Sequence, residues 1–376
     1  MDYTMENLTS STPIANYTST TLSANVTSTI GPVPVFPSTF KPIEVGDIAL
    51  TLLASTLSIF GAILIFVAYC VTDSFRPENE TRRLLIYLTV SDLLVAFGNF
   101  GGTIRYIAVF GNNKFSLNCT LDTRCDLFCV VQSFVCATAS MWSFFWNTVI
   151  GIHIFVALVY CRHGTWPWKM KIFTHSVCWL VPLSITIAAV SKEVLGEDFS
   201  QGTGAWCWIS SCLDKNARTL WMVVTGKGWE ITWYFATCIM FFFVKGYMWK
   251  QRRRHNRRHF SEVSERLRVE DESYLYLWLI GYCLRIWGTC RFFLYALRRH
   301  TGNPLSHFDT TDDVFLHFQS FGDSAQAFCT CILFCFLDKT TRHHLYKKLC
   351  CKCCKRSDGE ELRPILTETA NINYSV

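Results

Sequence analysis

Charge is what this chain has least of. Only 17% of its 376 residues are Asp, Glu, Lys or Arg, against about 25% in typical soluble domains, and this makes a soluble multidomain enzyme a poor fit. Proline is also scarce, at 10 residues, so long helices meet few breaks. Residues 1–45 contain no apolar core of the kind a secretory signal needs, so the first apolar run is expected to start insertion itself. No internal duplication, filter-like sequence or ring-forming charge pattern stands out, which argues against a transporter or channel with a charged midplane site, the alternative to the reading developed here. His153 and His175 lie isolated in apolar runs. A membrane enzyme would need several such groups at one depth, so no catalytic residues, cofactor or metal are expected, and neither is a nucleic-acid partner.

What is present is apolar length. Seven runs, at about 47–71, 84–107, 127–158, 172–191, 219–244, 274–297 and 314–337, carry most of the hydrophobic half of the chain. A hydrocarbon core of about 30 Å takes about 20 helical residues, and only helices or closed barrels satisfy every backbone polar group there. The expected fold is therefore an all-α membrane protein, a seven-transmembrane helix bundle over 46–337. If the N-terminus is outside, the inner connections hold 21 Lys and Arg and the outer ones 8, the asymmetry that sets orientation. An odd number of spans then leaves the C-terminus in the cytoplasm, and the plasma membrane is the expected location.

The flanks follow from that topology. Residues 1–45 are rich in Ser, Thr, Pro and Asn and carry sequons at Asn7, Asn16 and Asn25; a disordered, glycosylated outer tail is expected. Asn118 supplies a fourth sequon in the first outer connection, while Asn79 and Asn373 fall inside and are read as unused. Residues 338–349 space basic and apolar residues for a short amphipathic helix on the inner surface. Cys350, Cys351, Cys353 and Cys354 follow in the 350–376 tail, where acylation would pin that helix to membrane lipids. A zinc site is the alternative, but four cysteines so close together share too little chain to wrap an ion. The final Val376 offers a possible partner in a PDZ domain.

Nineteen cysteines are present, and the five in outer connections (Cys119, Cys125, Cys129, Cys207, Cys212) invite disulfides on the oxidising side. A Cys129–Cys207 bridge would tie the second outer connection over the mouth of the bundle, although spacing alone does not choose partners. Cys119, Cys125 and Cys212 would then allow one further bridge and one free thiol.

Ionisable residues inside spans are costly and tend to face the bundle interior. Asp92, Lys227, Glu230, Arg285, Arg291 and Asp323 all fall there. One reading is that they only fix helix positions. The other is that Lys227 and Arg291, nearer the outside, accept an anionic group from an extracellular ligand while the deeper residues report its arrival. Trp142, Phe145, Trp146, Trp229 and Trp233 are candidates for an aromatic cavity or for lipid contact. Pro182 is expected to interrupt the fourth span.

On the inner side, 250–272 holds RRRHNRR followed by SEVSERLRVEDE. Glu262, Arg266 and Glu270 have four-residue spacing, so the sixth helix is expected to extend inward. Arg252, Arg253, Arg254, Arg257 and Arg258 are then placed either at a lipid surface or as contacts for a protein partner.

Specific stretches carry a resemblance. RRLLIYLTVSDLL at 82–94, SFFW at 143–146, WCWI at 206–209, TGKGWE at 225–230, LRIWGTCRFFL at 284–294 and the Gly322–Gln326 region before CIL resemble the cyclic-AMP-receptor-like group of G-protein-coupled receptors. The rhodopsin-like group fits poorly: Val159-Tyr160-Cys161-Arg162 replaces Asp-Arg-Tyr, and neither Cys-Trp-x-Pro nor Asn-Pro-x-x-Tyr occurs. No lysine lies between Asp313 and Leu337, which excludes a retinal Schiff base there. The resemblance implies a disulfide from the third span to the second outer loop and signalling from a small extracellular ligand to a heterotrimeric G protein. It also carries Asp92, Lys227, Glu230, Arg285, Arg291 and Gln326 over as matched core positions, with Asp323 standing where the pattern has an amide.

Overall fold

The computed structural model describes residues 43–71, 80–110, 126–160, 166–199, 202–254, 261–301, 306–337, 341–343 and 345–346. Seven helical rods dominate these residues. The first four are single helices: α1 (Val45–Val71), α2 (Glu80–Phe110), α3 (Leu127–Tyr160) and α4 (Trp168–Ser191). A two-stranded antiparallel hairpin follows, β1 (Leu195–Gly196) against β2 (Trp208–Ile209). The fifth rod joins α5 (Lys215–Met222), a π turn at Val223–Lys227 and α6 (Gly228–Arg254). The sixth is α7 (Ser261–Thr301), and the seventh joins α8 (Ser306–Gly322), α9 (Gln326–Cys331) and a π turn at Ile332–Leu337.

Four helices, within α1 to α4, are long and apolar enough to cross a membrane, and the seventh rod makes a fifth if its two halves, bent by 53°, count as one span. The chain is thus a multi-pass membrane protein. Large apolar side chains face outward along the rods, among them Phe60, Ile187, Phe235 and Phe242, where water would penalise a continuous patch of this kind and lipid does not. Inside, α3 is central, packing against α2, α4 and α6, while α1 closes the ring against α2, α8 and α9.

Three apolar clusters result among the described residues, the smallest being Ile43, Tyr106 and Ala205. The largest centres on Ile65, Leu85, Leu88, Trp146, Ile150 and Leu333; another packs the hairpin residues Leu195 and Ile209 against Met222 and Phe292. The hairpin is a small addition to the all-α expectation.

Backbone irregularities differ from those the sequence suggested. Pro182 does not interrupt α4: the helix runs continuously from Trp168 to Ser191, with Pro182 buried in the stripe Cys178, Pro182, Thr186 and Ala189 that faces the bundle. Thr186 Oγ1 donates to the Pro182 carbonyl at 3.1 Å and meets Thr138 Oγ1 at 2.7 Å, which ties this stretch of α4 to α3.

The break falls instead at Asp323–Ala325 of the seventh rod. Ser58 Oγ donates to the freed Ser324 carbonyl at 2.5 Å and Asn99 Nδ2 donates to Ser324 Oγ at 2.9 Å. Gly322, just before the break, touches the Leu284 backbone so closely that a Cβ would overlap the carbonyl. In the fifth rod, the Gly228 N–H bonds the Val223 carbonyl and Trp229 Nε1 donates to the Val224 carbonyl at 2.8 Å. That inserted residue re-aims the side chains beyond it; Lys227 and Glu230 both turn into the bundle and are buried.

α7 begins at Ser261, well before the apolar run at 274, as the four-residue charge spacing predicted. Thr341 to His343 are helical, Thr341 accepts from Arg82 at 3.5 Å and Leu345 packs on the largest core. Asn7, Asn16, Asn25, Asn118, Arg257, Arg258, Cys119, Cys125, Cys350, Cys351, Cys353, Cys354 and Val376 lie outside the described residues.

Candidate ligand site beneath the outer loop

The structure bonds Cys129, at the start of α3, to Cys207, one residue before β2, with a Cα–Cα distance of 5.4 Å. Cys212 is also disulfide-bonded. The Cys129–Cys207 bridge fixes the loop above the bundle, and Gln132 Oε1 of α3 accepts the Cys207 N–H at 2.9 Å. With both sulfurs bonded to each other, the cluster of Cys129, Glu197 and Cys207 has no thiolate to offer a metal.

Two acids shape the rest of this loop. Asp198, fully buried, accepts the Gly202 and Thr203 N–H groups at 3.0 and 2.9 Å and pairs with Arg218 of α5. Glu197 accepts from Arg105 of α2 at 2.6 Å, and Arg105 also pairs with Asp126. Burial outweighs the Arg105 charge and holds the Glu197 carboxyl above its ordinary value. Both acids fold the loop inward rather than facing a ligand.

Two tryptophans complete the seal. Trp206 lies over Gly102 of α2, and a Cβ on Gly226 of the π turn would sit 2.8 Å from the Trp208 ring. Gly102 thus lets the Trp206 backbone and Cβ come close to α2, and Gly226 lets the Trp208 ring approach the π turn.

Beneath the loop is a cavity of about 70 Å³, lined by Lys227, Glu230, Arg285 and Asp323 together with Thr203, Trp206 and Phe144. A water takes about 30 Å³ of liquid and drug-sized ligands about 300 Å³ or more. The cavity as it stands is thus smaller than a drug-sized ligand needs.

The charged residues form three groups. Near the loop, Arg291 donates to Asp312 at 3.0 Å, to the Gln319 side-chain oxygen at 2.8 Å and to the Thr203 carbonyl at 3.0 Å, and Gln319 in turn donates to Asp323 at 2.8 Å. Across the cavity, Lys227 donates to Glu230 at 2.8 Å, and the other Glu230 oxygen accepts from Thr289 at 2.6 Å and Tyr234 at 2.8 Å. Deeper, Arg285 Nε donates to Gln326 at 2.8 Å, Gln326 to Ser143 at 3.2 Å and Ser143 to Asp92 at 2.8 Å. The Arg285 guanidinium lies 4.8 Å from the Phe144 ring centroid, a cation–π contact.

The sequence thus identified the deep ions but not how they divide. Arg291 and Lys227 are not two open anion receptors. Arg291 does not line the cavity; its donors serve Asp312, Gln319 and the loop, and Lys227 serves Glu230. Asp323, standing where an amide was expected, takes a direct place through Gln319. Trp142, Phe145, Trp146, Trp229 and Trp233 do not line the cavity either. Trp142 and Trp146 meet Trp179, with His175 between Tyr87 and Trp146, and Phe145 meets Trp229. His153 faces Trp166.

Arg105, Asp198, Arg218, Asp312, Gln319 and Ser143 were not singled out. Ser143 sits inside the SFFW stretch and Gln319 is four residues before Asp323, one helical turn on the same face; those are the signals that pointed to them.

The family model described as slime mold cyclic AMP receptor matches residues 40–232. The chain belongs to this family. It is 30% identical to G-protein coupled receptor 157 of Mus musculus over 338 residues, covering 86% of this chain and 91% of that protein. It is also 30% identical to the Homo sapiens protein of that name over 310 residues, 79% of this chain and 82% of that protein. Cyclic AMP receptor 4 of Dictyostelium discoideum is 25% identical over 162 residues, 43% of this chain and 32% of its own. Membership of this receptor family makes the chain a G-protein-coupled receptor in the general sense. The family match includes Asp92, Ser143, Lys227 and Glu230, whereas Arg285 and Gln326 lie beyond it.

Proposed function

We propose that this protein is a cell-surface, seven-span receptor, N-terminus outside, which relays an extracellular small-ligand signal to a heterotrimeric G protein. The observation that carries the proposal is a charged cavity, under a disulfide-anchored loop, joined to a buried polar chain that leads from Arg285 through Gln326 and Ser143 to Asp92. Ligand entry changes the pairing of Lys227, Glu230 and Arg285, and the two-state element it biases is α7, which carries Arg285 and runs inward to Ser261. A ligand shifts such an equilibrium only by its differential affinity for the two states, and a cavity that must open to admit it supplies that difference.

The same proposal assigns Asn7, Asn16, Asn25 and Asn118 to glycosylation, Arg252, Arg253, Arg254, Arg257 and Arg258 to the G-protein face, and Cys350, Cys351, Cys353 and Cys354 to acylation at the inner lipid surface. A PDZ domain is the proposed partner of the C-terminal Val376. The deciding experiment is G-protein nucleotide exchange with Arg285→Gln at matched surface expression. Basal or stimulated exchange is expected to change about tenfold or more, as when a buried charge loses its role. Unchanged exchange would remove the deep chain from the mechanism.

A further inference from the structure

Of the charged residues around the cavity, Lys227 pairs with Glu230 and Arg291 with Asp312. Arg285 differs: it is 5% exposed, lines the cavity and donates to Gln326 through Nε, while its Nη2 meets no acceptor among the described residues. A guanidinium presents a planar fork of donors shaped for a carboxylate, and leaving that fork unmatched in a buried site is costly. Asp323, on the same cavity, accepts from Gln319 through Oδ2 while Oδ1 accepts nothing among the described residues.

The geometry points to a small zwitterion as the ligand class: a carboxylate on the Arg285 fork and an ammonium beside Asp323, as in an amino acid. This deepens the receptor reading and rests on it. Pairing favours this over a plain anion, which engages Arg285 but brings no ammonium to Asp323, whereas a zwitterion gives both cavity groups a partner. The cavity of about 70 Å³ admits only a few heavy atoms under the seated loop, which favours a compact molecule over a nucleotide.

The full chain in lipid nanodiscs tests this by thermal unfolding with a series of ω-amino acids from glycine to aminohexanoate, whose carboxylate–ammonium separation increases stepwise. Matched simple amines, matched carboxylic acids, inorganic phosphate and cyclic AMP are run beside them. One or two neighbouring members of the series are expected to raise Tm by about 3 °C or more at saturation, with the matched amine and acid inert. Asp323→Asn and Arg285→Gln are each expected to weaken the effective member about tenfold or more, their folding checked by unliganded Tm. No response across the series, a response to phosphate or cyclic AMP alone, or a response unchanged in both variants would overturn the inference. G-protein nucleotide exchange in the same nanodiscs separates the two levels: exchange without any zwitterion effect removes the ligand class and leaves the receptor, while absent exchange removes the receptor reading itself.

Discussion

A buried ion pair is held in place more by what its loss would leave behind than by its own net attraction. Lys227 and Glu230 are 6% and 3% exposed and bonded at 2.8 Å. Lys227→Met should therefore cost about 3–5 kcal/mol, because Glu230 stays buried without its cation. The double variant with Glu230→Gln should recover part of that loss. Thermal unfolding of the two variants checks both statements. Glu197 gives a pH prediction at the same scale. Its carboxyl is raised above its ordinary 4.5 by burial, so the fold holds that proton more tightly than the unfolded chain does. Its contribution favours the fold at low pH and declines as pH rises from the ordinary value through the raised one. Glu197→Gln should then keep or raise Tm at neutral pH and flatten the Tm slope in that window, with Arg105 still held by Asp126. Individual ions were legible in the sequence because each interrupts an apolar run. The pairing of Lys227 with Glu230 was legible as one of the options their three-residue spacing allows, but partners on other helices, such as Asp312 and Ser143, were not.

Elements differ from the sequence expectation where backbone, not side chain, is irregular. Apolar periodicity marks where a helix must run but does not record a one-residue insertion, so the π turn at Val223–Lys227 and the break at Asp323–Ala325 left no pattern. Proline pointed to the wrong helix: α4 runs unbroken through Pro182, while the seventh rod bends by 53° without any proline. Gly322 is the residue that permits the bend to sit against α7. Gly322→Ala would drive a Cβ into the Leu284 carbonyl, and backbone has no rotamer with which to yield. The expected result is a loss of about 1–3 kcal/mol or more and a lower folded yield by size-exclusion profile, whereas Gly246→Ala, where nothing lies within 4 Å of the added carbon, should be tolerated.

At the scale of the molecule, the outer loop is a structural member of the bundle. The Cys129–Cys207 bond closes 78 residues of sequence, for which the chain-entropy model gives about 4–5 kcal/mol. Cys129→Ala with Cys207→Ala should lower Tm accordingly and free the loop that covers the cavity, read as faster modification of buried Cys136 by a small thiol reagent. An unchanged modification rate would mean that Trp206 and Trp208 hold the loop without the bridge.

The sequence by itself determined that this chain occupies a bilayer, where its helices run and which ions it buries, because apolar length and the cost of charge in hydrocarbon are properties of local composition. Only the tertiary structure decided which ions pair, which arginine keeps its donors and how small the cavity is. Those depend on distances between helices far apart in sequence, and on a loop whose folding is set by Asp198, Arg218 and the disulfide together.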